Sequence, residues 1–488
     1  MASENEPASG SGQGLSRFSS GFAVNQADQM NVAASAQPSP DDASTVAVEA
    51  VRKQMFLDFC AALDAHAMPY VILSGYSGYP DRIDSDIDFM VSEADFLRLP
   101  ALFNDASSVP GARLVQAVQH GPSACCYALA SHTGHRIAYL HPDSTASYRS
   151  KGRLWLRGQA VLASRRKAAA GFWIPAAAVE FEYYFVKRCD KGVVEAHHID
   201  TFATLLAEDP VGCRAVLARL APLPLSDELE SAISKGNVAW FEQHRQQLQL
   251  ALSDSMPREA FVGRLLSRAS EILRRARRIL RPTGLVIAVL GPDGSGKTTV
   301  IEHLERELAP VFRRVRRFHL RPHFGAALGS TVVTDPHGEK PRGHLASAAK
   351  VGLFMIDYWM GWLRWVYPAK VRSNLIVFDR YYHDMLVDPA RYRLPRGSFL
   401  QRLLVDLVPK PDIWLILHAP PELLVARKGE ITLEAAQVLS KDYAHLAFQL
   451  HAISIDTGRG LKETLAAAVA APLEYLATRT SARIGAAR

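Results

Sequence analysis

The strongest constraint on this 488-residue chain is one run, Gly291-Pro292-Asp293-Gly294-Ser295-Gly296-Lys297-Thr298, directly after Leu285-Val286-Ile287-Ala288-Val289-Leu290. It is a complete G-x-x-x-x-G-K-[ST] pattern, whose glycines let backbone N–H groups turn inward around phosphate oxygens. Such a loop needs a buried strand before it and a helix after it. The apolar run 285–290 predicts the strand. Thr299 to Leu308 has helical spacing, and the helix presents its positive end to the same anion. The expected nucleotide-binding residues are therefore Gly291, Asp293, Gly294, Ser295, Gly296, Lys297, Thr298 and Thr299. Lys297 reaches for β- and γ-phosphates and the Thr298 hydroxyl for Mg²⁺, so a nucleotide is the expected ligand.

The length predicts two to four domains. Hydrophobic residues make up 48%, enough for each domain to build a core. A formal net charge of +7 suits phosphorylated or acidic ligands and is too mild to imply nucleic acid. Cys60, Cys125, Cys126, Cys189 and Cys213 have no metal-ligand spacing and read as reduced thiols of a cytoplasmic protein. No signal peptide is expected. The most apolar helix, Val351 to Trp365, is interrupted by Asp357 and Arg364, so no transmembrane segment is expected.

Residues 1–45 are rich in small and polar residues and read as a disordered tail. A helix from near Ser44 to about Ala67 places Val48, Val51, Met55, Phe56, Phe59 and Leu63 on one face. Strands are expected at Tyr70–Leu73, Ile87–Val91, Cys126–Leu129 and Arg136–Leu140. Residues 46–165 thus form a smaller α+β domain, and 166–283 a helical region and linker. Glu271 to Arg281 is a basic amphipathic helix that stops at Pro282-Thr283-Gly284. Its arginines could touch an anionic surface, although a solvated linker helix is the plainer reading. From 284 to 478 strands alternate with helices, as in a parallel α/β sheet flanked by helices. Residues 479–488 read as a tail.

Three more elements of 284–478 fit phosphoryl transfer. The strand Asn374–Phe378 ends in Asp379-Arg380-Tyr381, a carboxylate placed for Mg²⁺ and a cation placed for a phosphoryl group. The strand Asp412–Leu417 leads to Pro421-Glu422 and a helix ending at Arg427-Lys428, which could close as a lid. Ile453–Asp456 is the last strand. Together these residues resemble the thymidylate kinase family of P-loop kinases: the phosphate loop with an acidic residue inside it, Asp379-Arg380-Tyr381, and Pro411-Asp412 followed by Pro421-Glu422. That resemblance implies five parallel strands between helices and ATP–Mg²⁺ as donor. Lys297, Arg380, Asp379 and Asp293 would be catalytic, Arg427 nucleotide-side, and Arg321, Tyr358 and Tyr381 near the acceptor. Thr298 and Asp379 would hold the metal.

Departures fall on the acceptor side. His319-Leu320-Arg321-Pro322-His323-Phe324 replaces the family's Arg-Glu-Pro-Gly-Gly run, and Tyr358 stands where the family usually has arginine. His319, Arg321, His323, His383, Arg391 and Arg393 would suit a bulkier anionic acceptor. The loop 335–343 is expected to cover that site. The default reaction is dTMP + ATP to dTDP + ADP. A sugar or glycan acceptor in polysaccharide assembly, or a nucleotide-gated regulatory role without turnover, are the alternatives. The partner is a small nucleotide, phosphorylated or sugar acceptor, and a homodimer is compatible.

In the N-terminal part, Leu73-Ser74-Gly75 followed by Ser85-Asp86-Ile87-Asp88 resembles the nucleotidyltransferase superfamily. Asp86 and Asp88, two apart on a strand, share a face and could hold Mg²⁺. The resemblance implies a third carboxylate on a later strand. Arg136–Leu140 has none, and Asp143 lies just beyond its end. Glu182 and Lys187 could contact a ligand, but a packed helix with a charged outer face is the safer reading.

Overall fold

The computed structural model describes residues 40–150, 153–255, 261–322, 343–395, 399–428 and 432–486. All of the expected loop 335–343 but Gly343, together with His323 and most of the expected N-terminal tail, lies outside the described residues.

The N-terminal module opens with α1 (Pro40–Ala65), which buries Phe56, Phe59 and Leu63. Its mixed sheet comprises β1 (Tyr70–Ile72), β2 (Ile87–Val91), β3 (Arg113–Gly121), β4 (Ala124–Thr133), β5 (Arg136–Leu140) and β6 (Pro142–Thr145). Helix α2 (Glu93–Asn104) follows β2 and is capped by Ser92, whose hydroxyl accepts from Asp95 N. The strand order is β1-β2-β6-β4-β3, with β5 also on β4; β2 and β6 run parallel. Two small hairpins, β7–β8 (Ser147–Ser150, Arg153–Arg157) and β9–β10 (Arg166–Lys167, Trp173–Ile174), flank α3 (Gly158–Ala163).

A helical region follows: α4 (Ala177–Lys191), α5 (Ala196–Glu208), α6 (Pro210–Leu220), α7 (Leu225–Ser234), α8 (Val238–Gln243), α9 (Arg245–Ser255) and α10 (Phe261–Leu280). Phe181, Phe185, Phe202 and Phe241 share its core. Helix α4 stops at Gly192, whose φ of 70° supplies the left-handed cap.

The C-terminal module is built from β11 (Leu285–Leu290), α11 (Lys297–Leu308), β12 (Val315–His319), α12 (His344–Gly361), α13 (Tyr367–Val371) and β13 (Leu375–Asp379). It continues with α14 (Asp384–Val387), α15 (Phe399–Leu404), β14 (Ile413–His418), α16 (Pro421–Lys428), α17 (Leu433–Gln449), β15 (Ile453–Asp456) and α18 (Leu461–Gly485). The five strands are parallel in the order β12-β13-β11-β14-β15. Along β11, Leu285, Ile287 and Val289 join one core and Val286, Ala288 and Leu290 the other. That alternation is why the central strand reads as an unbroken apolar run.

The two modules are not separate bodies. One face of the N-terminal sheet packs on α1 and α2. Its other face, through Val115, Ala128, Ala130, Ile137 and Tyr139, belongs to the same core as Ile301 and Leu304 of α11 and Leu473 and Leu476 of α18. Glu307 at the far end of α11 accepts from Ile137 N at 3.2 Å, and Tyr139 donates to Glu307 O at 2.8 Å. Residues 479–485, expected as tail, are helical. Thr480 is buried there and donates to Val115 O at 3.0 Å, because α18 must run on to cover the sheet.

Leu304 is fully buried in this shared core. We expect Leu304→Ala to cost about 2–5 kcal/mol and to weaken hydrogen-exchange protection in β4 and β5 together with α11 and α18. Loss confined to the C-terminal module would contradict the shared core.

Candidate functional site

The loop after β11 is forced into shape by its glycines. Gly291 has φ 148°, and a Cβ there would lie 2.7 Å from Leu417 O. Gly294 has φ 80°, and its Cβ would lie 2.9 Å from Leu424 O. No side chain fits either place. Lys297, at the start of α11, is 8% exposed and folds back over its own loop, donating to Gly291 O at 2.9 Å and Pro292 O at 2.7 Å. Burial and then Arg380 push its pKa down to about 8, against the pull of Asp293. The Ser295 hydroxyl is buried without a hydrogen-bond partner, while Thr298 and Thr299 are exposed on the first turn of the helix. A cradle too tight for Cβ atoms, an orphaned hydroxyl and a helix N-terminus fit a polyphosphate with its Mg²⁺.

Asp293, inside the loop, is where three cations converge. Arg380 Nη2 donates to Asp293 Oδ1 at 2.5 Å, Arg391 forks onto both Asp293 oxygens, and Lys297 Nζ lies 3.6 Å away. Arg380 follows β13 at φ 72°, a sparsely populated conformation for a residue with a side chain. Its N–H donates to Val289 O at 3.0 Å and its Nη1 to Asp384 Oδ2 at 2.7 Å. Asp384 has no exposed surface and also accepts from Tyr392 at 2.6 Å and Tyr443 at 2.5 Å. Asp384, Tyr392 and Tyr443 were not among the site residues expected from the sequence. Only the Arg380–Asp384 spacing on one turn offered a signal.

Asp379 lies beside Val289 across the β11–β13 pair. Burial raises its pKa, but hydrogen bonds and charge from His319 and Arg317 win and hold it down at about 2. Arg317 donates to its Oδ2 at 3.0 Å, so an incoming cation would have to share the carboxylate with this arginine. Arg427 reaches the loop, donating to Gly294 O at 3.3 Å and to Thr457 O at 2.9 Å. Arg321 pairs with Asp357 at 3.2 Å and lies 3.9 Å over the Phe354 ring. Tyr358 and Tyr381, read as acceptor-side residues, are fully buried, and their hydroxyls donate to Leu320 O and Pro409 O. They brace the segments around the site from below. His383 is buried against Trp414, and burial pushes its pKa down to about 4.

In the N-terminal module, Asp88 on β2 sits in register with Asp143 on β6. Asp143, which follows the end of β5, thus lies on a strand of its own. Burial, Asp143 and Asp88 raise the Asp86 pKa to about 7. Lys187 donates to Asp88 Oδ2 at 2.5 Å, and His120 Nε2 lies 2.8 Å from Asp143 Oδ1. Glu182 instead pairs with Arg219 at 2.6 Å.

A glycine-cradled loop at the tip of the central strand of a five-stranded parallel sheet, with a lysine and an arginine turned onto it, defines a P-loop kinase type of fold and site. No protein-family model matches the chain. Thymidylate kinases of Xanthomonas oryzae pv. oryzae (strain PXO99A) and Xanthomonas campestris pv. campestris (strain B100) are each 30% identical to it over 153 residues, 30% of this chain and 62% of theirs. That of Xylella fastidiosa (strain M23) is 26% identical over 151 residues, 30% of this chain and 65% of its own. The chain thus carries thymidylate kinase homology over about 150 residues and spans less than two thirds of these curated relatives. Solved thymidylate kinases of Candida albicans (18% identity, 39% of this chain, 92% of that one, TM-score 0.31) and Ehrlichia chaffeensis (17%, 39%, 97%, 0.29) are also similar. No helix among the described residues is long and apolar enough to cross a membrane.

The buried Lys297 makes stability depend on pH. Its native pKa, about 8, lies below the ordinary lysine value of about 10.4. Burying the charge is therefore a full penalty below pH 8, and the penalty fades up to about 10.4 as the native state sheds its proton first. In denaturant melts, wild type should gain on Lys297→Met between those values. A constant difference would contradict the shift.

Proposed function

We propose that 284–478 is an ATP-dependent phosphotransferase of the thymidylate kinase class, with dTMP + ATP to dTDP + ADP as its default reaction. The observation that carries this reading is the convergence of Lys297, Arg380 and Arg391 on Asp293 beside the loop. Lys297 would leave the carbonyls of Gly291 and Pro292 for β- and γ-phosphate oxygens. The loop N–H groups and the N-terminus of α11 would hold the rest of the chain of phosphates. Thr298 and Asp379 would hold Mg²⁺, which, when bound, would neutralise phosphate charge. An acceptor phosphate oxygen would attack the γ-phosphorus as the bond to the β–γ bridging oxygen breaks and ADP departs. Arg380 would move from Asp293 to the transferring group, and Asp293, so released, would orient an acceptor hydroxyl. Arg427 would steady the loop on the nucleotide side.

Arg391 favours a second reading, a sugar or glycan acceptor. It brings a second guanidinium to the acceptor side from a segment where the family pattern is absent. For 46–165 we propose a nucleotidyltransferase-like fold, with Asp86, Asp88 and Asp143 as its carboxylates. Transfer by that module is a separate matter, because Lys187 and His120 already answer two of the three. Five buried free thiols support a cytoplasmic setting.

The test follows γ-labelled phosphate from ATP–Mg²⁺ into dTMP, other nucleoside monophosphates and sugars. We expect transfer to dTMP, lowered about 10²–10³-fold in Lys297→Ala. Transfer to a sugar alone would select the second reading. ATP binding without transfer to any acceptor would overturn both and leave a regulatory role.

A further inference from the structure

Helix α10 is attached to the protein by its charged side. Arg274 donates to Gln119 O at 3.0 Å, and Arg278 to Val371 O and Ser373 Oγ, each at 2.9 Å. Its apolar side faces outward: Leu265, Ile272, Leu273, Ile279 and Leu280 are all exposed, Leu280 by 79% and Ile272 by 68%. At 3.6 residues per turn these five fall within one arc of about 120°. Arg268 and Arg275 border the arc on one side, and Arg277 and Arg281 on the other. Between 261 and 281 there are seven arginines and one acidic residue, Glu271.

A helix that docks through arginines and shows aliphatics to the outside has its stripe free for something else. The borders say what. Long cationic side chains flanking an apolar stripe can place their charges at headgroup level while the stripe sinks below it. A second copy on this face would bring two arginine-rich borders together, and like charge opposes that. Exposed apolar residues on α12, such as Leu353 at 62%, lack this arginine surplus.

We propose that α10 is an interfacial helix that docks the protein on a membrane surface bearing anionic headgroups. The stripe from Leu265 to Leu280 lies in the acyl boundary and the arginines sit at the phosphates. The docking is peripheral, and it stands independently of the acceptor the kinase-like site takes.

The test is flotation of the full-length protein with vesicles of phosphatidylcholine alone or mixed with phosphatidylglycerol. We expect binding to the mixed vesicles only, weakened by added salt. Ile272→Asp with Ile279→Asp should lower partitioning about tenfold or more, and Leu353→Asp should not. Arg275→Gln with Arg277→Gln and Arg281→Gln should flatten the salt dependence. Unchanged circular dichroism and ATP binding show that each variant is folded. Absence of binding to either vesicle, or wild-type binding by the double aspartate variant, would overturn the proposal. So would a dimer in light scattering, without vesicles, that the double variant splits.

Discussion

The clasp of Arg380 between Asp384 and Asp293 is the interaction on which the C-terminal module turns. Its backbone sits in a left-handed conformation that costs on the order of 1–3 kcal/mol, so the surroundings must hold it there. They do so with a β-type hydrogen bond to Val289 and a buried ion pair to Asp384. Removing one partner of such a pair costs about 3–5 kcal/mol. Tyr392 and Tyr443 also donate to Asp384, so the carboxylate is fixed from three segments of chain. One end of the guanidinium is thereby rigid. The other rests on Asp293, a partner that an anionic ligand can replace.

The same logic extends along α11. Lys297 stands at its N-terminus over the loop, and Glu307 at its other end is bound to the edge of the N-terminal sheet. A helix pinned at both ends transmits position well, since packed interiors yield little. The N-terminal module is therefore part of the scaffold of the loop, whatever chemistry its own carboxylates perform. The arginine-bound side of α10 fits the same picture, since it ties the helical region to Gln119 of the N-terminal sheet and Val371 of the C-terminal module.

Much of this was legible in the sequence where the signal is local. The run 285–298 sets strand, loop and helix within fourteen consecutive positions, and the two-sided burial of a parallel strand leaves an unmistakable apolar run. Arg380 was legible for the same reason. Tyr443 was not, because it reaches Asp384 from α17, across 59 positions. Asp143 was legible as lying just beyond β5, but not as part of a further strand, because only His141 separates β5 from β6. Tyr358 and Tyr381 were placed near the acceptor by their positions in the family pattern, which carries no sign that each hydroxyl is spent on a backbone carbonyl. For α10 the periodicity revealed the stripe but not which side of the helix meets the protein.

The most direct test is diffraction from crystals grown with a non-hydrolysable ATP analogue, Mg²⁺ and dTMP. We expect Arg380 to keep Asp384 while its other nitrogen leaves Asp293 for a phosphate oxygen, with Lys297 turned from Gly291 and Pro292 onto the phosphates. Phosphates bound with Arg380 still on Asp293 and Lys297 still on the loop carbonyls would contradict the clasp as the element that receives the transferring group.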